Sequence, residues 1–73
     1  MKDVKIKAND YEAKDILRIM REWTELTQKE FSKSINLSTI SIRFYEKGLR
    51  RCIFDTFLKI ANEHGITITL EKK

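Results

Sequence analysis

Residues 26–48 read LTQKEFSKSINLSTISIRFYEKG, and local signals within them predict the central part of the fold. The Thr27 hydroxyl can accept a hydrogen bond from a backbone amide in the first turn of a helix. Glu30, three residues later, can reach back to the amide of Thr27. In this capping box, each side chain accepts a hydrogen bond from the backbone amide of the other residue. We therefore expect a helix to begin near Gln28.

A tight turn and a second helix are indicated directly after the first. Asn36 stands where the chain must turn, and asparagine is one of the few residues other than glycine that tolerate a left-handed backbone. Ser38 is placed to cap the next helix and Gly48 is placed to end it. Two short helices joined by a turn are therefore predicted over residues 27–47.

Apolar and polar side chains of the two predicted helices separate onto different faces. Phe31 and Ile35 lie four residues apart in the first helix and so share one face. Ile42 and Tyr45, three apart in the second helix, are expected to face inward with Leu37. The other side of the second helix carries Thr39, Ile40, Arg43, Phe44 and Lys47. This layout predicts a helix-turn-helix that binds DNA.

The pattern of residues 26–66 resembles, without gaps, the Cro/CI (Xre) family of phage and bacterial repressors, which have lambda-repressor-like domains. The matching features are Leu26-Thr27-Gln28, the buried aliphatic Ile42, the helix end Glu46-x-Gly48, the run TFLKIA at residues 56–61, and Gly65. The sequence departs from the family at Ser32 and Asn36, which replace small residues, and at Cys52-Ile53, which replace the usual Pro-Ser helix start. The resemblance implies a four-helix, mainly α domain.

The resemblance also implies a function and a set of site residues. The implied protein is a sequence-specific transcriptional repressor on double-stranded DNA, encoded by a phage or another mobile element and able to repress its own promoter. By position in the motif, the residues that read bases are Thr39, Ile40, Arg43 and Phe44. Those that hold backbone phosphates are Gln28, Lys47, Arg50 and Arg51. Arg43 alone among the reading residues can give guanine a bidentate contact, and it can equally hold a phosphate.

Positive charge is concentrated in the same segment. Residues 29–51 contain six basic and two acidic side chains, whereas the rest of the chain has nine of each, so this window accounts for the whole net charge of +4. Clustered basic side chains can displace counterions from nucleic-acid phosphates. A charged run is also typical of an ordinary solvated face, so the charge supports DNA binding only together with the motif.

Both ends of the chain have the alternation of a β-strand. Ile66, Ile68 and Leu70 alternate with threonines, which predicts a strand over residues 66–71. Val4, Ile6 and Ala8 indicate a second, weaker strand. The strands could pair within one chain or across a two-fold axis, with Ile66, Ile68 and Leu70 in a dimer interface, or the carboxyl terminus could be a frayed tail.

Two further helices complete the predicted domain. The first is expected to be capped by Asn9 or Asp10, with Glu12 in the capping-box position after Asn9. The last is expected over Phe54–Glu63. Their apolar residues, expected in the core, are Ala13, Ile16, Leu17, Met20 and Trp23 in the first and Phe57, Leu58, Ile60 and Ala61 in the last.

Length and composition favour one small domain, residues 1–73, that gains stability by forming a homodimer. One cysteine and one histidine provide neither a disulfide nor a metal cluster, so we expect no metal, no cofactor and no enzyme activity. Cys52 is expected to be a small buried or half-buried side chain, and His64 to interact with helix-end carbonyls. The lack of a secretory leader or long apolar run favours a cytoplasmic location away from membranes, and no small-molecule substrate is evident.

A different class of function fits the same surface. Ile40 and Phe44 could form the centre of a protein interface, as in an antitoxin-like or inhibitor module with a basic rim, or Phe44 could fold back onto the core. Salt separates these alternatives. DNA binding should weaken steeply as ionic strength rises, with a shallower dependence when Arg50 or Arg51 is neutralised.

Overall fold

The computed structural model describes residues 4–73, which form a mainly helical domain. Four α-helices are present in this range: α1 (Ala13–Thr24), α2 (Gln28–Ser34), α3 (Thr39–Lys47) and α4 (Phe54–Glu63). A short 3-10 turn, Ala8–Asp10, precedes α1. α3 packs against both α1 and α2. The four predicted helices are therefore confirmed, including the bounds of the last one.

The predicted caps around the central turn are confirmed. Thr27 Oγ1 accepts from the amide of Glu30 at 3.1 Å, and Glu30 Oε1 accepts from the amide of Thr27 at 3.0 Å. This contact lowers the pKa of the Glu30 carboxyl, because the Thr27 amide donates to its charged form. Asn36 has φ 58°, and Ser38 Oγ caps α3 by accepting from the amide of Ser41. These local hydrogen bonds fix where both helices begin.

The predicted start of α1 is wrong. Asn9 and Asp10 lie in the 3-10 turn, where the amide of Asp10 donates to the carbonyl of Lys7 at 3.0 Å. The helix starts after Glu12, whose side chain makes no capping hydrogen bond. The turn uses the residues expected to cap the helix, so α1 begins two to three positions later than the sequence suggests.

The core lies where the four helices meet. Phe31, Ile35 and Ile42 are buried as predicted, and Tyr45 and Leu37 pack partly buried against them. The buried apolar side chains are Leu17, Met20, Phe31, Ile35, Ile42, Phe57, Ile60 and Ala61. Three predicted core residues are exposed instead: Ala13, Trp23 at 39% and Leu58 at 37%.

The predicted β-strands are absent from residues 4–73. After Gly65, the amide of Ile66 donates to the carbonyl of Ala61 at 2.8 Å, and no backbone-to-backbone hydrogen bond joins residues 67–73 to any other residue of 4–73. A strand needs a partner to satisfy its amides and carbonyls, and the segment around Val4 and Ile6 does not pair with this one. The alternating pattern alone therefore does not make a strand in a single copy of the chain.

None of the helices in residues 4–73 has the length and apolar character needed to span a lipid bilayer.

Candidate nucleic-acid interface

One side of α3 forms a surface, here called the α3 surface, made of Thr39, Ile40, Arg43, Phe44 and Lys47. Ile40 is 57% exposed, and Arg43 and Lys47 are exposed as well. Thr39 and Phe44 are half-buried at its two edges. The structure thus brings together the predicted base-reading residues, but their side chains differ in solvent exposure.

Thr39 is turned toward α2. Its Oγ1 lies 3.1 Å from Ser32 Oγ, and Ser32, which is buried, donates to the carbonyl of Lys29 at 2.7 Å. Ser32 stands where the resembling family has alanine, and its hydroxyl gives Thr39 a partner within the protein. The Thr39 hydroxyl is therefore less available to an outside ligand than the sequence suggested.

Three cations, two on the α3 surface and one in the segment that follows α3, have no partner within the described chain. Arg43, Lys47 and Arg51 are exposed and make no side-chain hydrogen bond or ion pair with residues 4–73. Unpaired cations on one surface attract a polyanion because no internal carboxylate cancels their field. Arg50 differs, because its guanidinium contacts Ser41 and Phe44.

Gly48 sets the direction in which the chain leaves α3. It has φ 77°, and its amide donates to the carbonyl of Tyr45 at 3.1 Å, while the amide of Leu49 donates to the carbonyl of Phe44 at 2.9 Å. These two bonds form a Schellman helix end, which requires a left-handed residue and so favours glycine. The reversal brings Arg50, two residues later, back onto Phe44 of the α3 surface.

A partly buried ion pair joins α1 to α3 beneath this surface. Arg21 Nε donates to Glu46 Oε2 at 2.6 Å and Nη2 donates to Oε1 at 3.0 Å. Nη1 donates to the carbonyl of Leu26 at 3.2 Å, which ties in the start of the helix-turn-helix. The hydrogen bond to Glu46 raises the pKa of Arg21, since it favours the charged guanidinium.

The same carboxylate also holds Gln28, the predicted phosphate ligand of α2. Gln28 Nε2 donates to Glu46 Oε1 at 3.3 Å, which orients the amide at the start of α2. Glu46 is one of only two acidic residues in the basic window, and Arg21, from outside that window, neutralises it. The outer side of α3 is therefore more positive than the sequence count implies. Sequence analysis missed this pair because Arg21 and Glu46 are 25 residues apart.

His64 and Cys52 have structural contacts. The predicted contact of His64 with helix-end carbonyls is wrong for its ring: Nε2 lies 2.9 Å from Ser34 Oγ, and the ring stacks on Phe31 with centroids 5.3 Å apart. Cys52 is half-buried as expected, and burial raises the pKa of its thiol to about 11. Within residues 4–73, no three His, Cys, Asp or Glu side chains are grouped to hold a metal.

The residues predicted to form a dimer interface border an open groove of about 1770 Å³. The groove is lined by the amino-terminal and carboxyl-terminal segments and by parts of α1 and α4. We call it the terminal groove. Ile66 packs against the core, Ile68 is 38% exposed and Leu70 is 92% exposed. Other large apolar side chains at this groove are Val4, Ile6, Trp23 and Phe54.

Comparison with known proteins adds no assignment, because no protein-family model, no curated protein and no solved structure matches the chain.

Proposed function

We propose that the chain is a sequence-specific DNA-binding protein that acts as a homodimeric transcriptional repressor on an inverted repeat. The observation that supports this most directly is the exposed α3 surface, whose Arg43 and Lys47 are unpaired among residues 4–73. A capped turn fixes α3 behind α2, as a helix-turn-helix requires. The resemblance of residues 26–66 to Cro/CI repressors adds independent support.

In this proposal α3 lies in the major groove, with residues near its amino end closest to the base edges. Arg43 gives guanine a bidentate contact, which is worth ~1–3 kcal/mol of discrimination against another base. Ile40 contacts a thymine methyl group, and the methyl group of Thr39 is the part of that side chain left for the groove. These contacts determine sequence preference.

Phosphate contacts determine how the domain sits on the duplex. Gln28, held by Glu46, meets the backbone on one side of the groove, and Lys47 and Arg51 meet it on the other. Each neutralised phosphate releases counterions, so affinity should fall steeply with salt. No metal or cofactor takes part.

A second copy of the chain is the proposed occupant of the terminal groove. Residues 67–73 leave their backbone groups without backbone partners in residues 4–73, and Ile68 and Leu70 expose apolar surface beside them. Because residues 4–8 do not pair with residues 66–73, contact across a two-fold axis would satisfy both segments. A two-fold dimer would place its two α3 helices about 34 Å apart, one turn of duplex.

The direct test is selection of bound sequences from a pool of random duplexes by the full-length chain. We expect the selected sequences to share an inverted repeat with half-site centres separated by about 10 base pairs. Selection of a single, unrepeated half-site would contradict the dimeric arrangement, and failure to enrich any sequence would contradict sequence-specific binding.

The protein-interaction alternative is favoured by one observation, the 57% exposure of Ile40 at the centre of the α3 surface. Exposed aliphatic side chains often lie at the centre of protein interfaces. A module of this kind would use Ile40 without needing nucleic acid. Ile40→Ala should then abolish partner binding, whereas wild-type chain should show no affinity for duplex even at low salt.

A further inference from the structure

Arg50 differs from the other cations near the α3 surface because it is held in place. Its Nη1 donates to Ser41 Oγ at 3.2 Å, and its guanidinium carbon lies 5.4 Å from the centroid of the Phe44 ring. A guanidinium in this position over an aromatic ring is attracted by the negative face of the ring. Its neighbour Arg51, which has the same charge, makes neither kind of contact with residues 4–73.

The backbone places Arg50 there. Gly48 reverses the chain, and the amide of Leu49 bonds back to the carbonyl of Phe44 itself at 2.9 Å. The residue after Leu49 therefore starts close to the flank of α3 and needs no extended reach to cover the Phe44 ring.

The acceptor that holds Arg50 is also fixed. Ser38 Oγ donates to Ser41 Oγ at 2.8 Å and accepts from the amide of Ser41 at 3.1 Å. The cap of α3 thus orients the Ser41 hydroxyl, and that hydroxyl accepts from Arg50. The Ser41 hydroxyl and the Phe44 ring hold the guanidinium at two points on the same flank of the helix.

We propose that Arg50 is a positioning residue for Phe44, and that it sets sequence preference through Phe44 instead of holding a phosphate. This inference rests on the proposed DNA-binding function. A half-buried phenylalanine at the edge of a helix would otherwise sample several rotamers, and ordering it on binding would reduce affinity. With the ring held beforehand, its free edge is presented to the groove, where thymine methyl groups are the apolar feature.

The test uses the operator selected by the full-length chain, with each thymine in turn replaced by uracil to remove its methyl group. Wild type should lose about fourfold in affinity at the thymine that Phe44 contacts, the loss expected for one buried methyl group. Phe44→Ala should abolish the loss at that position and identify it. In Arg50→Gln, the ratio of the affinity for the thymine operator to that for the uracil operator at this position should fall to near one. The slope of log affinity against log salt should stay at the wild-type value.

Two variants distinguish the effect of where the Arg50 side chain is held from the effect of its positive charge. Ser41→Ala keeps the charge of Arg50 but removes its acceptor, and it should also lower the thymine-to-uracil ratio. Arg51→Gln makes the same charge change one residue later. It should leave the ratio unchanged while reducing the slope of log affinity against log salt by about 0.9, as loss of one phosphate contact does.

The inference is overturned if Arg50→Gln keeps the wild-type ratio, if it lowers the salt slope as Arg51→Gln does, or if wild type shows no thymine that depends on Phe44. Absence of any duplex binding by wild type would instead reject the proposed function, so the two failures can be told apart.

Discussion

At the scale of single residues, the α3 surface divides into side chains that are free and side chains that the protein already uses. Arg43 and Ile40 are exposed, whereas the Thr39 hydroxyl contacts Ser32 and the Phe44 ring lies under Arg50. Free side chains can meet a ligand without first breaking an internal contact. We therefore assign the main polar reading role to Arg43.

Replacing Arg43 by alanine should relax sequence preference at one or two base pairs. The physical reason is that alanine lacks the paired donors that distinguish guanine in the major groove. The measurement is competition between the selected operator and single-base variants, for wild type and Arg43→Ala. An equal loss of affinity for every sequence would show that Arg43 holds a phosphate instead.

Cys52 should be a slow nucleophile. Burial disfavours its thiolate and raises the thiol pKa from 9.0 to about 11, so less of the reactive form is present at pH 8 than in an exposed thiol. A higher pKa also makes the thiolate intrinsically more nucleophilic, so the net rate should be about tenfold below that of a model thiol.

The check on Cys52 is the rate of iodoacetamide alkylation as a function of pH. The rate for folded protein should rise with a midpoint near pH 11, while protein unfolded in urea should show a midpoint near 9. Identical profiles in the two states would mean that the thiol is not buried.

At the scale of helices, the Arg21–Glu46 pair joins α1 to α3 and also orients Gln28 at the start of α2. The Glu46 side chain is only 7% exposed and that of Arg21 19%, so neither charge is fully hydrated. Removing one partner leaves the other charge poorly solvated, which is costly.

Glu46→Ala should therefore lower the free energy of unfolding by about 3 kcal/mol, as measured by urea denaturation. The double variant Arg21→Met with Glu46→Leu should recover part of the loss, because it leaves no unpaired charge. Glu12→Ala, which removes an exposed partner of Lys14, is the matched control and should change stability by less than about 1 kcal/mol. A similar small effect for Glu46→Ala would mean that the pair contributes little.

The same scale shows what the sequence can and cannot predict. The caps at Thr27 and Ser38, and the turn at Asn36, depend on residues three or fewer positions away, so local rules identify them. The Arg21–Glu46 pair joins positions far apart in the chain and leaves no local pattern. The position of Arg50 over Phe44 follows from the chain reversal at Gly48 and could not be predicted from helical spacing.

At the scale of the whole molecule, the strand prediction illustrates a different limit. The alternation at Ile66, Ile68 and Leu70 predicts a strand, but no strand forms there, because pairing depends on a partner that residues 4–73 do not supply. A sequence pattern indicates which residues suit an interface. It does not indicate whether the segment that pairs with them belongs to the same chain or to a second copy.

If a second copy occupies the terminal groove, charged residues there should dissociate the dimer. Ile68→Glu combined with Leu70→Glu should give a monomer in sedimentation equilibrium, because each carboxylate would be buried without a partner. Asn62→Glu, at an exposed position of α4 that does not line the groove, is the control and should leave the dimer intact. A dimer that persists in the double variant would exclude this segment from the interface.

Sequence-specific DNA binding through the α3 surface is tested by the affinity of the wild-type chain for its selected duplex at about 50 mM salt, compared with the affinities of Arg43→Glu and Lys59→Glu. Both variants make the same charge change. Arg43 lies on the α3 surface, and Lys59 is an exposed residue of α4. We predict tight binding by wild type, near-complete loss in Arg43→Glu and only a small loss in Lys59→Glu. Equal losses in the two variants would show that the α3 surface is not the binding site, and no binding by wild type to any duplex would rule out DNA binding altogether.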